Sequence, residues 1–352
     1  MTSTPESLRA TVHAVIDGHT KIPYTSSSTD TWDVLDAADE DPLDSTHVLD
    51  LYRNRSYLKY GGGNSYYNRE HVWPNSYGFP DDGSTNKPYT DCHHLFDCYI
   101  GYNETRGNRI FDACSTLCQT YTVDDYNGES GANYSRNTSP VGIWETWEGR
   151  RGDVARAMFY MDVRYEGDSG EPDLILTNDV DSILASSTGN NESVAYMGLL
   201  DILLQWHEDD PVDDKERSRN DVVYSYQGNR NPFIDHPEWV AGIFIEGTTD
   251  IAPGGPPEAA RKAWITAVSP NPFNPRTNVL FSLADPGHVR LDVYSVSGKL
   301  VRTLLSGHRA SGEHSVFWDG TNGAGESVAS GVYFCLLRSD GGADTRKLVL
   351  VR

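Results

Sequence analysis

The stretch Asn68-Arg69-Glu70-His71-Val72-Trp73-Pro74 decides how the rest of the chain is interpreted. It is followed later in the chain by Asp91-Cys92-His93-His94-Leu95 and by Asn103-Glu104-Thr105-Arg106-Gly107-Asn108. Together these segments supply a carboxylate beside an imidazole, an amide and a guanidinium. Such groups can hydrolyse a phosphodiester with the help of one hard metal ion.

The residues around the Glu70-His71 pair predict a strand that leaves a loop. Aromatic and β-branched residues between Tyr66 and Trp73 favour the strand, and Pro74 ends it. Adjacent side chains of a regular strand point to opposite faces. We therefore expect Glu70 and His71 to serve one site only if the pair lies at a strand end or on a bulge.

The segment after the strand changes its periodicity. Leu95, Tyr99, Tyr102 and Arg106 recur at helical spacing, although Gly101 weakens the pattern. This spacing predicts a short helix with Asn103 and Arg106 on one face or just past its end.

Each side chain of the set has a chemical role to which it is suited. His71 has an unperturbed pKa of about 6.5 and is the candidate general base. Glu70 and Asn103 offer oxygen ligands, which suit Mg2+, Mn2+ or Ca2+ better than Zn2+. Arg106 is able to hold a phosphate oxygen through paired hydrogen bonds.

The length and the net charge of the chain limit the folds and functions that can be expected. A chain of 352 residues exceeds what one core usually fills, and no stretch is apolar enough to span a bilayer. The net charge of -22 argues against broad electrostatic binding of nucleic acid, so a polyanion needs a local basic patch or a metal. The acidic run from Asp30 to Asp50 predicts a solvated loop, with a Ca2+ site as the alternative.

Four cysteines lie close together, and the spacing between them fits zinc knuckles poorly. Disulfides are therefore favoured over a zinc site, and they indicate an oxidising compartment. No export leader is visible in the first residues, so we expect an exported chain to have lost it already. The four disulfide candidates are Cys92, Cys98, Cys114 and Cys118.

The remainder of the chain predicts packing helices and then a separate all-β unit. Apolar stripes indicate helices at 5–17 and 152–165, and a Pro- and Gly-rich linker follows at 247–262. Alternation with a period of two then predicts a small β-sandwich in 263–352. Its predicted strands are 278–283, 288–294, 313–318, 331–337 and 346–351.

Six blocks of the first unit occur in the order found in one protein family. They closely resemble the bacterial and secreted endonuclease I family, whose catalytic core is a ββα-metal (His-metal finger) motif. The resemblance covers nearly all of residues 5–246. It implies an α+β fold, with a mainly helical nuclease domain at 1–246 built around that motif. The blocks are Arg69–Pro74, Asp91–Leu95, Asn103–Asn108, Gly152–Arg156, Trp206–His207 with Asp210–Pro211, and Gln227–Pro237.

The resemblance also implies roles for individual residues. His71 matches the general base of the family, Glu70 and Asn103 match its Mg2+ ligands, and Arg106 aligns with an arginine of its block. The implied reaction is cleavage of DNA, and often RNA, with little sequence preference, leaving a 5'-phosphate and a 3'-hydroxyl. Three further matching residues either support the ligands or belong to the core, and they are Asp91, His93 and His94.

Two departures from the family pattern stand out. No second phosphate-holding arginine lies between His71 and Asp91, where Lys87 is the only basic residue. The chain is also strongly acidic, so nuclease activity requires its arginines to gather into a basic groove. The arginines expected there are Arg69, Arg106, Arg109, Arg136, Arg150, Arg151 and Arg156.

The end of the chain resembles the FlgD-like immunoglobulin or type IX secretion sorting domains of exported bacterial proteins. The residues that carry this resemblance are Val268–Pro275, Leu291–Lys299, Gly331–Phe334 and Lys347–Arg352. It implies export or surface attachment, with a possible contact to secretion machinery. A β-sandwich that merely spaces or binds something is the alternative.

The sequence thus leads to the hypothesis of a secreted, Mg2+-dependent, sequence-nonspecific endonuclease. In this hypothesis Mn2+ or Ca2+ can take the place of Mg2+ in binding. The alternative is an extracellular binding or adhesion protein that keeps the nuclease fold with weak or no activity.

Overall fold

A computed structural model describes residues 5–83, 86–114, 117–137, 142–245, 263–271, 273–295, 299–323, 325–339 and 342–351. The chain forms two compact units, Met1–Thr249 and Asp250–Arg352. The predicted linker at 247–262 lies outside the described residues. Within the described ranges, no helix combines the length and the apolar character that a membrane span needs.

The first unit mixes helices with strands. Eight α-helices share its described residues with eleven strands, so the expectation of a mainly helical unit is not confirmed. Helices α1–α8 span Pro5–Ile16, Thr31–Ala38, Ile100–Arg106, Arg151–Arg164, Val180–Ser186, Leu200–Asp209, Asp214–Gln227 and Pro232–Asp235. Strands β1–β11 span Glu40–Asp41, Asp44–Leu49, Ser56–Leu58, Tyr67–His71, Leu95–Tyr99, Ile110–Phe111, Gln119–Thr122, Ala132–Asn137, Gly142–Glu145, Asp173–Leu176 and Val194–Met197.

A strand–strand–helix unit carries the stretch with which the sequence analysis began. Strands β4 and β5 pair antiparallel, with Asn68 opposite Cys98 and Glu70 opposite Phe96. Helix α3 starts at Ile100, directly after β5. This element order and pairing place the helix that carries Asn103 beside the strand that carries Glu70.

Helix α4 forms the centre of the first unit. All its residues from Gly152 to Arg164 are buried, which confirms the helix predicted at 152–165. Its apolar residues, such as Met158 and Phe159, belong to the main core cluster. Two buried arginines tie it to other elements, because Arg156 pairs with Glu216 of α7 and Arg164 pairs with Glu171.

The residues near the end of the unit also serve the scaffold. Asn231 caps α8 through its side chain and donates to the Arg156 carbonyl at 3.0 Å. Asn229 donates to the Ile16 carbonyl at 3.0 Å. His207 on α6 accepts a hydrogen bond from Arg156 Nη1 at Nδ1, at 3.2 Å, and its Nε2 donates to the Pro237 carbonyl at 3.1 Å.

The acidic run from Asp30 to Asp50 is not a solvated loop, and that prediction is wrong. Asp30 caps α2 in a capping box with Asp33. Asp39 is 1% exposed and pairs with Arg219 at 2.7 Å, and Asp50 is fully buried among backbone amides. These carboxylates are structural, and distant parts of the chain supply partners of Asp39 and Asp50.

The cysteine prediction is correct for one pair. Cys114 and Cys118 form a disulfide. Cys92 and Cys98 are buried thiols that form no disulfide in the described chain, so their assignment as disulfide candidates is wrong. Cys98 lies on β5 opposite Asn68, and burial raises the pKa of both thiols.

The second unit is an antiparallel β-sandwich. Its strands β12–β18 span Ala263–Ser269, Thr277–Leu283, Gly287–Ser295, Leu300–Arg309, Gly312–Trp318, Gly331–Ser339 and Gly342–Leu350. The two sheets have the orders β12-β13-β16 and β15-β14-β17-β18, and one apolar core cluster that includes Trp318 fills the unit. All five predicted strands are present, together with β12 and β15.

The Arg156–Glu216 pair generates a stability prediction. Arg156→Ala leaves the Glu216 carboxylate buried without its cation, which should lower the free energy of unfolding by about 3–5 kcal/mol. Urea unfolding followed by tryptophan fluorescence measures the loss. The double variant Arg156→Met/Glu216→Leu removes both charges and should recover most of it. An alanine variant as stable as the wild type would contradict the prediction.

Candidate active site

Glu70 is held in a buried position by two fixed donors. The residue is 2% exposed, and Oε1 accepts a hydrogen bond from the Tyr52 hydroxyl at 2.9 Å. The same oxygen lies 3.2 Å from Arg106 Nη1. Burial raises the pKa of Glu70 to about 7, against the opposing effects of Arg106 and Tyr52. Because both donors use Oε1, Oε2 is the oxygen that remains for another partner.

His71 is neutral and has a defined tautomer. Its Nε2 lies 2.9 Å from the Tyr89 carbonyl oxygen, which can only accept, so Nε2 carries the proton. Nδ1 therefore holds the free lone pair. The ring packs against the rings of Tyr89 and His94, at centroid distances of 4.6 and 5.4 Å. Burial, followed by the effect of His94, lowers the pKa of His71 to about 3.

The position of Glu70 and His71 on β4 bears on whether both side chains can serve one site. The pairing is regular through Glu70 and His71, so no bulge is present there. His71 is the last residue of β4, which is the strand-end arrangement that the sequence analysis required.

Asn103 is positioned on α3 by its amide nitrogen. Nδ2 donates to Asn68 Oδ1 at 2.7 Å and to the Arg69 carbonyl at 3.3 Å. Both bonds use the nitrogen. The Oδ1 atom of Asn103 therefore remains available to accept a hydrogen bond or to bind a cation. Asn68 and Glu70 are two residues apart on β4 and share one face. Asn103 therefore approaches the face of β4 that bears Glu70.

The residues present fit a hard divalent cation. Glu70 would offer a carboxylate oxygen and Asn103 an amide oxygen, and Mg2+ prefers a few such oxygen ligands with several retained waters. The fit depends on the orientation of the Asn103 amide. Its nitrogen donates to Asn68 and to the Arg69 carbonyl, so its oxygen is the atom that would bind the cation.

Arg106 occupies a different position from the phosphate clamp that the sequence suggested. It is 1% exposed, and Nη1 and Nη2 donate to the carbonyls of His71 and Val72 at 2.9 and 2.5 Å. With Nη1 also beside Glu70, both terminal nitrogens are used inside the protein. These contacts of Arg106 join α3 to the end of β4.

Asp91, His93 and His94 were expected either to support the metal ligands or to belong to the core. Asp91 is fully buried and accepts from the hydroxyls of Tyr160 and Tyr165 at 2.7 and 2.8 Å, so it belongs to the core. The His93 ring packs against the Tyr160 ring at a centroid distance of 4.6 Å, so His93 lies in the same network. His94 contacts the His71 ring, and its Nε2 lies 2.7 Å from the Pro88 carbonyl.

The expected basic groove of seven arginines does not form. Arg106, Arg150 and Arg156 are buried and paired with carboxylates. Arg69 lies over the Tyr24 ring at 3.3 Å, and Arg151 pairs with Glu145 at 3.4 Å. Arg109 and Arg136 remain half-buried. Lys87 lies 2.5 Å from Glu171, so it is also engaged.

A second group of ligand-type side chains lies outside this site. His13, Asp17 and Asp168 bring one ligand atom each to within 4.8 Å of the others. They are partly exposed, and His13 Nδ1 also lies 2.8 Å from the Val163 carbonyl. They include neither of the predicted ligands, so we assign them no role in the site.

Three residues of the site were missed by the sequence analysis. Tyr52 binds Glu70, Asn68 orients Asn103, and the Tyr89 carbonyl fixes His71. Asn68 could have been found, because it lies two residues before Glu70 and therefore on the same strand face. The contacts of Tyr52 and Tyr89 depend on loops, and no local pattern indicates them.

A histidine at a strand end, with a carboxylate and an amide on the same strand–strand–helix unit, is a set of groups suited to metal-assisted hydrolysis. Residues 4–238 match the Endonuclease I family model, and residues 274–338 match the FlgD Ig-like domain. The chain belongs to the endonuclease I family and is a nuclease.

Two curated relatives support the same assignment. The chain is 43% identical over 244 residues to the extracellular ribonuclease of Bacillus subtilis (strain 168), covering 68% of this chain and 75% of the relative. It is 42% identical over 241 residues to the extracellular ribonuclease of Bacillus amyloliquefaciens, covering 68% of this chain and 74% of that relative.

The bond between Asn68 and Asn103 leads to a prediction about metal affinity. Asn68→Ala releases the amide of Asn103, so the Mg2+ concentration for half-maximal activity should rise about tenfold, as for other residues that orient a ligand. A magnesium titration of the cleavage rate measures it. Asn108→Ala, at an exposed asparagine just after α3, is the matched control and should leave the titration unchanged. A lower maximal rate with an unchanged magnesium midpoint would contradict this role.

The burial of His93 leads to a prediction about pH. Burial lowers the pKa of His93 from 6.5 to about 4, so the unfolded chain binds a proton that the folded chain rejects between these values. The contribution of neutral His93 to stability is therefore present above pH 6.5 and lost toward pH 4. The stability difference between wild type and His93→Asn should shrink by about 3 kcal/mol over this range. Urea unfolding at several pH values tests this, and a constant difference would refute it.

Proposed function

We propose that this chain is a secreted, metal-dependent, sequence-nonspecific endonuclease that hydrolyses DNA and also RNA, leaving a 5'-phosphate and a 3'-hydroxyl. The observation that carries the proposal is the contact between His71 Nε2 and the Tyr89 carbonyl. It leaves the lone pair of Nδ1 as the proton acceptor. The names of the two relatives support secretion and action on RNA.

His71 is the general base in this proposal. Nδ1 takes a proton from the attacking water, and the resulting imidazolium keeps its Nε2–H bond to the Tyr89 carbonyl. The rings of Tyr89 and His94 hold the imidazole in place, so little reorganisation is needed when the proton moves. The low pKa of His71 keeps the base unprotonated throughout the neutral range.

Glu70 and Asn103 are the residues that would hold the metal. A bound Mg2+ supplies charge stabilisation at the phosphate and water that can protonate the leaving oxygen. Arg106 positions Glu70 and, through two carbonyls, the backbone at the end of β4. It thereby fixes the distance between the base and the carboxylate without contacting substrate.

The lack of sequence preference follows from the groups available. The proposed chemistry acts on the phosphodiester, which is common to every nucleotide. With a net charge of -22, the chain offers no general attraction for a polyanion, so binding depends on the metal and on local groups.

Replacement of the base tests the proposal directly. His71→Ala should lower the rate of plasmid nicking by about 10²- to 10⁴-fold, the usual contribution of a general base. The assay is run with the full chain in Mg2+ and in excess EDTA. His236→Ala, at a half-exposed histidine on the C-terminal side of α8, is the control and should nick as the wild type does. Cleavage that persists in EDTA, or a fully active His71→Ala variant, would overturn the mechanism.

One observation favours the alternative of an extracellular binding protein with little activity. Lys87, the only basic residue between His71 and Asp91, is paired with Glu171 and does not replace a phosphate-holding arginine. Nucleic-acid binding in Ca2+ without turnover in Mg2+ would support that alternative. Surface attachment and a contact of the second unit with secretion machinery stay predictions.

A further inference from the structure

A cavity of about 350 Å³ lies at the end of the β4–β5 sheet that is remote from His71. Two arginines and four tyrosines are among the residues that line it, and we call this cavity the tyrosine pocket. These residues are Arg53, Arg55, Tyr57, Tyr60, Tyr66 and Tyr99.

The tyrosines present aromatic surface to solvent. Tyr60 and Tyr66 are 47% and 48% exposed, and their rings stack at 5.7 Å with an interplanar angle of 21°. Tyr57 is only 8% exposed, and its hydroxyl has no hydrogen-bond partner in the described part of the chain. A buried hydroxyl of this kind costs free energy unless a ligand group bonds to it.

The arginines add cationic groups to the same cavity. Arg53 lies 4.6 Å from the centre of the Tyr99 ring, and Arg55 lies 5.6 Å from that of Tyr57. Both face Asp124, at 3.2 and 3.7 Å. The Arg55 side chain is 49% exposed, and exposed ion pairs contribute little, so a phosphate oxygen can compete for its guanidinium.

The tyrosine pocket is fixed by a buried carboxylate. Asp50 accepts the backbone N–H groups of both Arg53 and Tyr99, which joins the two segments that carry this cation–aromatic pair. The Asp124 amide also donates to the Arg53 carbonyl at 2.8 Å. The backbone that carries Arg53 and Tyr99 at this cavity is therefore held in place by the fold.

The tyrosine pocket is connected to the candidate active site through short segments. Tyr99 directly precedes α3, and Asn103 lies one helical turn farther on, a rise of about 6 Å. Tyr66 directly precedes β4, and Glu70 follows after about 13 Å of extended backbone. A short oligonucleotide can span these distances.

We infer that the tyrosine pocket binds an unstacked nucleobase and its phosphate from the substrate strand, an inference that rests on the proposed nuclease function. Stacking on tyrosine accepts any base, which agrees with cleavage without sequence preference. A base inside a duplex is already stacked and paired and cannot enter. The chain therefore binds single-stranded nucleic acid in preference to duplex.

The experiment measures binding separately from cleavage. Fluorescence anisotropy with labelled oligothymidylate, a single-stranded RNA and a short duplex is recorded in Ca2+ with the His71→Ala chain, to which Tyr66→Ala or Tyr66→Phe is added. Tyr66→Ala should raise the Kd for the single strands about tenfold, the effect of one lost base stack. Tyr66→Phe keeps the ring and should bind like its parent. Tyr224→Ala, at a tyrosine that is 49% exposed on α7, is the matched control and should also bind like its parent.

The outcomes separate this inference from the proposed function. Unchanged single-strand binding by Tyr66→Ala, or an equal loss for duplex, overturns the tyrosine pocket while wild-type nicking still decides the nuclease mechanism. A selective single-strand loss supports the pocket even if the wild type fails to cleave. Tyr66→Phe, together with equal urea midpoints of the variants, excludes misfolding as the cause of any loss.

Discussion

The buried ion pair between Arg106 and Glu70 is the interaction on which the site depends. Placing two charges where each residue is at most 2% exposed costs several kcal/mol, and only close pairing with further hydrogen bonds offsets it. The two carbonyls bound by Arg106 and the Tyr52 hydroxyl on Glu70 supply those bonds. The helix that bears Asn103 is thereby locked to the end of the strand that bears Glu70 and His71. Loss of either charge would leave the other buried and would loosen all three side chains together.

The same use of arginine recurs through the first unit and explains its unusual charge. Arg156 and Arg219 are also buried and paired with carboxylates that lie far away in sequence. Many cationic groups of this acidic chain thus stabilise the interior, and the surface keeps the excess of carboxylates. A nuclease with such a surface has to hold a polyanion through a few local contacts. The cationic groups beside Tyr57 and Tyr99 are placed to serve this purpose.

Local patterns predicted some of the elements correctly, and long-range contacts decided the rest. The apolar stripe of α4 and the alternation of the second unit predicted their elements correctly. Strand β15 was missed because its pairing with β14 is interrupted by two register shifts, which disturb the alternation. The burial of Asp39 was not predictable, since its partner Arg219 is 180 residues away and no local pattern indicates the pair. Arg106 was recognised as part of the site, but the direction of its side chain, which determines its role, depends on the fold.

The acidic run shows how structure and candidate function are connected. Asp50 was expected in a solvated loop, yet it is the carboxylate that holds the backbone of Arg53 and of Tyr99. Tyr99 is the last residue of β5, and α3 starts at the next residue. One buried acid therefore fixes both the tyrosine pocket and the start of the helix that carries Asn103 and Arg106. Burial raises the pKa of Asp50 to about 6, so its ionised form is sustained by these amide donors and not by solvent. The geometry of the candidate site and that of the pocket beside it thus rest on the same group, which is why we expect them to act on one strand of substrate.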